Sequence, residues 1–167
     1  MAEARDTLVF IPTWNEERNL PAVLVELRKE IPNADVLVVD DGSIDRTADV
    51  AREHGAEVLS FGENRGLRAA VAAGYRYAAE RGYAYCRRLD ADGQHPVGEL
   101  RRLLEIVRAG SADVAVGSRF ATPGGNGFSR DRYESSPRDV SGAASCVGRW
   151  RSSSTFRSTT PPAACMR

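Results

Sequence analysis

Arg88-Leu-Asp90-Ala-Asp92-Gly-Gln94-His-Pro96 follows an apolar run, Tyr83 to Leu89, and places two carboxylates one residue apart at the end of that run. An extended run that stops at Asp-Ala-Asp sets both acids at a strand terminus, close enough to share one cation. Hard divalent ions take oxygen ligands from one or two carboxylates and keep positions for water and phosphate oxygens. The triplet therefore suggests a metal that holds a diphosphate. Taken alone it reads first as turn or helix-cap chemistry, because Asp collects at such places anyway. The rest of the chain has to decide.

Working outward, the same arrangement recurs. On the N-terminal side, Thr7–Ile11 is a short apolar run ended by Pro12, which predicts a buried strand and a turn. Asn15 or Asn19 is placed to cap a helix whose apolar face is Leu20, Val23, Leu24, Leu27 and Ile31, with Pro21 in its first turn. Asp35–Val39 predicts a second strand, running into Asp40-Asp41-Gly42-Ser43. Ser43 or Asp45 then caps a short helix that Gly55 stops. Ala56–Phe61 predicts a third strand and Asn64-Arg-Gly66 a turn. Leu67, Ala70, Val71, Gly74, Tyr75 and Ala78 form the clearest helical stripe, stopped by Gly82. Beyond the acid triplet, Leu100, Leu103, Leu104 and Val107 predict a helix stopped by Gly110. Asp113–Val116 predicts a fifth strand, running into Gly117-Ser118-Arg119-Phe120. Strand alternating with helix argues an α/β fold: a Rossmann-like, mostly parallel sheet with right-handed crossovers, flanked by helices. In such sheets ligands bind outside the carboxyl ends of the strands. Four polar clusters fall at those ends: 12–16, 40–45, 90–94 and 118–119. Their alignment favours the functional reading of the triplet.

Composition bounds the alternatives. The 167 residues, 42% apolar and 28% charged, suit one soluble domain. Net charge is zero, which argues against a nucleic-acid partner. Cys86, Cys146 and Cys165 form neither a regular disulfide framework nor a zinc pattern. Cys86, inside an apolar strand, is expected in the core, and the protein in a reducing, cytoplasmic compartment. No apolar run approaches the length that spans a bilayer, so any membrane role is expected to be peripheral, on the inner face.

The character changes after Phe120. Residues 121–167 contain no Leu, Ile or Lys but nine Ser and seven Arg, and carry a net charge of +4 against −4 for residues 1–120. No stripe of either period survives. The expectation is an ordered α/β domain over 6–120 and a mostly disordered Ser/Arg/Pro-rich tail over 121–167 that cannot bury enough apolar surface to offset its ordering entropy. The abruptness suggests a change of reading frame near residues 130–137. An Arg/Ser arm for anionic membranes or nucleic acid is the weakest of the readings.

No Gly-x-x-x-x-Gly-Lys-Ser/Thr loop and no Gly-x-Gly-x-x-Gly is present, which argues against P-loop and dinucleotide folds. An Asp-x-Asp phosphatase would need supporting Lys and Ser/Thr motifs that do not appear in order. What remains is a nucleotide held by strand-end residues and a metal-bridged diphosphate. Here the motifs Ile-Pro12-Thr-Trp14-Asn15-Glu16, Asp40-Asp41-Gly42-Ser43-x-Asp45-x-Thr47, Asn64-Arg-Gly66-Leu, Asp90-Ala-Asp92-Gly-Gln94-His-Pro96 and Gly117-Ser-Arg119-Phe together resemble a family 2 glycosyltransferase of the GT-A fold. The branch they resemble is the dolichol-phosphate, or polyprenol-phosphate, mannosyltransferases.

The resemblance covers about residues 6–120 and implies roles. Pro12, Trp14 (commonly Tyr in the family) and Glu16 would line the nucleobase pocket. Asp41 and Val39 would hold base and ribose. Asp90, Ala91 and Asp92 would embrace ribose and diphosphate. Asp92 is the implied catalytic residue, binding Mg²⁺ or Mn²⁺ with Gln94 and with Asp90 nearby. Arg119 would reach the diphosphate. The donor would be GDP-mannose or a UDP-sugar and the acceptor a polyprenyl phosphate at the membrane surface. The reaction would be an inverting displacement at the anomeric carbon, with no dedicated base because the acceptor oxygen is already anionic. Simpler readings stand beside these: Trp14 as a packed aromatic, Asp40 as a turn former, Arg119 as a solvated strand-end charge, His95 as structural. Two departures stand out. Gly66-Leu67-Arg68 replaces the family's Gly-Leu-Gly, and the acceptor half is not recognisable after residue 120. The alternative to an active transferase is therefore an inactive, truncated nucleotide-sugar-binding remnant.

Overall fold

The computed structural model describes residues 6–93, 97–118 and 143–149. Five strands and four helices alternate: β1 (Thr7–Thr13), α1 (Leu20–Glu30), β2 (Asp35–Asp40), α2 (Thr47–Glu53), β3 (Glu57–Ser60), α3 (Leu67–Glu80), β4 (Tyr85–Arg88), α4 (Val97–Arg108) and β5 (Val114–Ser118), followed by β6 (Ala143–Arg149). The sheet order is β3-β2-β1-β4-β6-β5. β1, β2, β3 and β4 run parallel, whereas β6 is antiparallel to both β4 and β5.

Both faces of β1 and β2 are covered, so each carries an unbroken buried apolar run, Leu8–Ile11 and Val36–Val39, rather than an alternating one. Val9, Ile11, Val36 and Val38 turn to one face, against Leu20, Leu24 and Leu27 of α1 and Leu100, Leu104 and Val107 of α4. Leu8, Phe10, Leu37 and Val39 turn to the other, against Ala70, Val71, Tyr75 and Ala78 of α3. α3 approaches β1 closely because residue 74 is glycine. A Cβ there would stand 2.2 Å from Cδ2 of Phe10, whose ring meets Tyr75 edge-on at 4.9 Å between centroids. Cys86 is buried in this second cluster as expected, and burial pushes its thiol up to about 12.

The helix starts differ from expectation. Asn19 occupies the cap position of α1 without capping it; its amide donates to Glu16 Oε2 instead (2.9 Å). Asn15 is drawn into the loop contacts described below. At α2 the cap position is Arg46, which makes no side-chain cap bond; Asp45, one residue earlier, still accepts the N–H of the first helical residue, Thr47, on Oδ1 at 2.9 Å. β1 continues through Pro12 to Thr13, in register with β2 up to Asp40; pairing with β4 ends earlier, at Phe10.

β6 lies within the segment beyond residue 120 that is expected to be mostly disordered. Tyr85 and Arg87 pair with Arg149 and Val147, and Val114–Ser118 pair with the other side of the same strand. A sheet interior has to satisfy its backbone N–H and C=O groups, and β6 does so for the facing edges of β4 and β5. Backbone pairing of this kind requires no apolar period, which is why none marks the strand in the sequence. The remainder of 121–167 lies outside the described residues.

One core residue breaks the apolar pattern. Arg87 on β4 is fully buried. Its Nη1 donates to the Leu100 carbonyl of α4, while Nε and Nη2 have no hydrogen-bond partner among the described residues. Burial lowers its pKa to about 9, with the nearby Cys86 acting in the opposite sense.

Candidate functional site

The carboxyl ends of β1, β2 and β4 open onto a cavity of about 310 Å³ lined by Pro12, Thr13, Trp14, Glu16, Asp41, Asn64, Gly66, Leu67, Ala70, Arg88, Asp90, Ala91 and Asp92. Seven of the residues singled out in the sequence meet there: Pro12, Trp14, Glu16, Asp41, Asp90, Ala91 and Asp92. Val39 does not. It is fully buried in the α3 side of the core, where strand alternation directs it. Gln94, His95 and Arg119 lie outside the described residues.

The rim is assembled by two loops that hold each other. Asn15 N–H donates to Ser43 Oγ (2.9 Å), Ile44 N–H to Asn15 Oδ1 (3.0 Å), Glu16 N–H to Thr47 Oγ1 (2.8 Å), Glu17 N–H to Asp45 Oδ2 (3.2 Å) and Arg46 N–H to Glu17 Oε2 (3.1 Å). Asn15 takes a positive φ of 57°, a conformation Asn tolerates better than most residues. The Ser43-x-Asp45-x-Thr47 motif is thus the fastening of the Trp14–Glu16 loop. Burial would raise the Asp45 carboxyl, but hydrogen bonds from the Thr47 hydroxyl, the Thr47 N–H and the Glu17 N–H outweigh it and hold the group below the ordinary 3.8. Trp14 is 57% exposed, so it is a rim aromatic rather than a packed one.

Asp40 and Asp41 are nearly inaccessible, at 3% and 4% exposure. Asp40 Oδ1 accepts the Ser43 N–H (3.0 Å) and Oδ2 the Ser60 hydroxyl (2.7 Å), which makes it the turn former anticipated and a tie to β3 as well. Asp41 Oδ1 accepts the Arg65 N–H at 2.7 Å and Oδ2 the Gly66 N–H at 2.8 Å. The Asn64-Arg-Gly66 turn is therefore hung on Asp41, which brings Asn64, Gly66 and Leu67 to the cavity. Gly42 makes this fit possible. It has φ +71°, and a Cβ would lie 2.3 Å from the Glu63 carbonyl carbon.

At the end of β4 the acids are differently placed. Ala91 is buried and Asp92 exposed. Asp90 receives a two-pronged ion pair from Arg88, Nε to Oδ1 at 2.8 Å and Nη2 to Oδ2 at 3.0 Å. Arg88 heads the stretch that opened the sequence reading, yet nothing in a linear Arg-Leu-Asp reveals that its guanidinium turns back onto the acid. No group of three His, Cys, Asp or Glu side chains suited to an ion is assembled among the described residues. Oxygen-only donors on two carboxylates nevertheless fit Mg²⁺ or Mn²⁺ of the kind that completes its shell with water and phosphate oxygens. Asp92 would hold such an ion, with Asp90 nearby.

This mostly parallel sheet, flanked by helices, with its strand-end cavity is the GT-A, nucleotide-diphospho-sugar transferase, fold. Residues 8–160 match the glycosyl transferase family 2 sequence family, and the chain belongs to it. It is 47% identical over 123 residues to the undecaprenyl-phosphate mannosyltransferase of Micrococcus luteus, covering 71% of this chain and 49% of the relative. It is 44% identical over 125 residues to the polyprenol monophosphomannose synthase of Mycolicibacterium smegmatis, covering 71% and 46%. The chain thus spans about half the length of these relatives. Among solved structures, a mannosyltransferase from Pyrobaculum calidifontis in complex with GDP-Man and Mn²⁺ superposes with a TM-score of 0.57 at 21% identity, over 65% of this chain and 34% of the other. Glucosyl-3-phosphoglycerate synthase from Mycobacterium tuberculosis, with Mn²⁺ and UDP, gives 0.51 at 22% identity, over 62% and 40%. These two establish the shared fold.

Proposed function

We propose that the chain is the donor-binding part of a hexosyltransferase that moves a sugar, mannose from GDP-mannose, to a polyprenyl phosphate. The observation that carries this reading is the meeting of Trp14, Glu16 and Asp90-Ala-Asp92 in one cavity, in a chain nearly half identical to two polyprenol-phosphate mannosyltransferases over their shared residues.

Trp14 offers an exposed aromatic face on which a base stacks, and Glu16 on the same loop accepts hydrogen bonds from its N–H groups. Pro12 and Thr13 shape the wall below them. Asp90, Ala91 and Asp92 lie along ribose and diphosphate. A divalent ion bound through Asp92, with Gln94, would supply charge stabilisation to the departing nucleoside diphosphate. Arg119, one residue beyond β5, is assigned to the same phosphates, for which a planar guanidinium gives paired hydrogen bonds. An anionic acceptor phosphate needs no base from the protein. Among the described residues no helix is long and apolar enough to cross a membrane, and the acceptor is reached at the membrane surface.

Calorimetric titration with GDP and with UDP, each with and without Mn²⁺, tests the donor site. Binding of GDP that requires Mn²⁺ is expected, and absence of binding by both nucleotides overturns the reading. Transfer of labelled mannose to polyprenyl phosphate tests the acceptor step. Coverage of only about half of each relative favours a second reading, a nucleotide-sugar-binding remnant. Metal-dependent binding without transfer would select it.

A further inference from the structure

Arg88, paired with Asp90, is the cavity residue that the donor-site reading leaves unused. Arg88 is the last residue of β4, and both side chains line the cavity beside Asp92. The fork is complete: one guanidinium covers both oxygens of one carboxylate, at 2.8 and 3.0 Å. Side-chain exposures of 23% and 27% place the pair inside the cavity wall, not among the freely solvated surface pairs that contribute little. Charge-assisted, two-pronged bonds of this kind are strong and directional. A divalent ion that takes Asp90 as a direct ligand therefore has to displace Arg88 or lie beside its positive charge, and like charges at such separations repel strongly in a partly desolvated site.

We infer that Arg88 is a positioning residue that withholds Asp90 from the metal, so that Asp92 is the carboxylate through which the protein holds the ion and Asp90 acts through hydrogen bonds. This rests on the reading of the Asp90-Ala-Asp92 turn as a metal site. The arrangement has a chemical consequence. With one carboxylate already paired to a cation, the protein alone binds a divalent ion weakly, and the ion is taken up firmly only with the diphosphate oxygens that complete its shell. Arg88 thereby couples metal binding to donor binding.

The test is titration of the full chain with Mn²⁺ alone, read by the electron paramagnetic resonance signal of the free ion, then repeated with GDP. Removing the guanidinium in Arg88→Gln is expected to tighten binding of Mn²⁺ alone about tenfold and to reduce the further gain that GDP brings. In the Asp90→Asn background the same Arg88→Gln change should leave Mn²⁺ affinity within about twofold. Arg88→Lys keeps the charge without the fork and should fall between. Thermal unfolding of each variant checks that the fold persists. Unchanged or weaker Mn²⁺ binding by a folded Arg88→Gln, while Asp92→Asn abolishes binding, overturns the inference and spares the metal site. A loss in Asp90→Asn as large as that in Asp92→Asn also overturns it. If wild type and every variant fail to bind Mn²⁺, with and without GDP, the metal-site reading falls and takes the inference with it.

Discussion

Two aspartate pairs end two strands of the same sheet and meet different fates. Asp40 and Asp41, after β2, are buried and receive hydrogen bonds from Ser43, Ser60, Arg65 and Gly66. Asp90 and Asp92, after β4, face a cavity, one clasped by an arginine side chain and the other exposed. The first pair receives mostly backbone N–H groups, which cannot move away without unfolding a loop. The second meets groups that can exchange partners. Like residues thus tie loops together in one place and line a cavity beside an arginine in the other, and what differs is who supplies the hydrogen bonds.

The contrast can be broken most severely at Asp41. Asp41→Ala leaves two loop N–H groups without their charged acceptor, and a loss of roughly 3–5 kcal/mol is expected, since bonds to a charged group contribute about 1.5–3 kcal/mol each. Urea unfolding measures it, and a loss under about 1 kcal/mol would place Asp41 with the ligand-binding acids. Asp92→Ala should show the converse. Stability should stay within about 0.5 kcal/mol, as for an exposed substitution. Calorimetry should show metal-dependent nucleotide affinity lowered at least about 100-fold, on the order of 2.7 kcal/mol.

A third substitution sharpens the comparison from behind the second pair. Arg87 precedes Arg88 but points into the core with two nitrogens unpartnered. Replacing a poorly compensated buried charge by an apolar side chain of similar volume is often stabilising by about 1–4 kcal/mol. Arg87→Met is therefore expected to raise stability at pH 7. The folded-state pKa of Arg87, about 9, lies below its ordinary 12.5. Between those values the unfolded chain holds more protons, so this group's penalty is full below about pH 9 and is relieved as pH rises above it. The advantage of Arg87→Met should shrink accordingly, in denaturation curves at pH 7 and pH 10. Tyr83, raised to about 12, pulls stability down over the same alkaline range in both proteins and drops out of the difference, whereas Cys86, also raised to about 12, feels the Arg87 charge and contributes to the difference.

The smallest effect belongs to Asp45, which fastens the rim. Its folded pKa is depressed, so the stabilisation is present above the ordinary 3.8 and is lost as pH falls through the folded value. Asp45→Asn should flatten the acid limb of the stability profile, moving the acid-unfolding midpoint by roughly a few tenths of a pH unit. Circular dichroism through an acid titration reads it.

Alternation of apolar runs and stripes was enough to define the α/β sheet, because a strand buried on both faces and a helix buried on one leave different periods in the chain. The same reasoning placed the polar clusters at strand ends and brought seven residues to the cavity. Val39, assigned to base and ribose only through the family resemblance, is turned by strand alternation into the α3 side of the core. The apolar periods passed over β6, whose place in the sheet rests on backbone pairing, and gave no sign that Arg88 pairs with Asp90.

Residue types and spacing by themselves therefore determined the class of fold, the edge on which the site lies and the oxygen-rich character of that site. Tertiary structure decided what each acid does. Asp41 became a loop anchor only because the chain returns 24 residues later to offer two N–H groups, and Asp90 became an ion-pair partner because its own strand's terminal guanidinium folds over it. Local pattern records burial, which depends on period. Hydrogen-bond partners depend on distance in space, and no period in the chain encodes that.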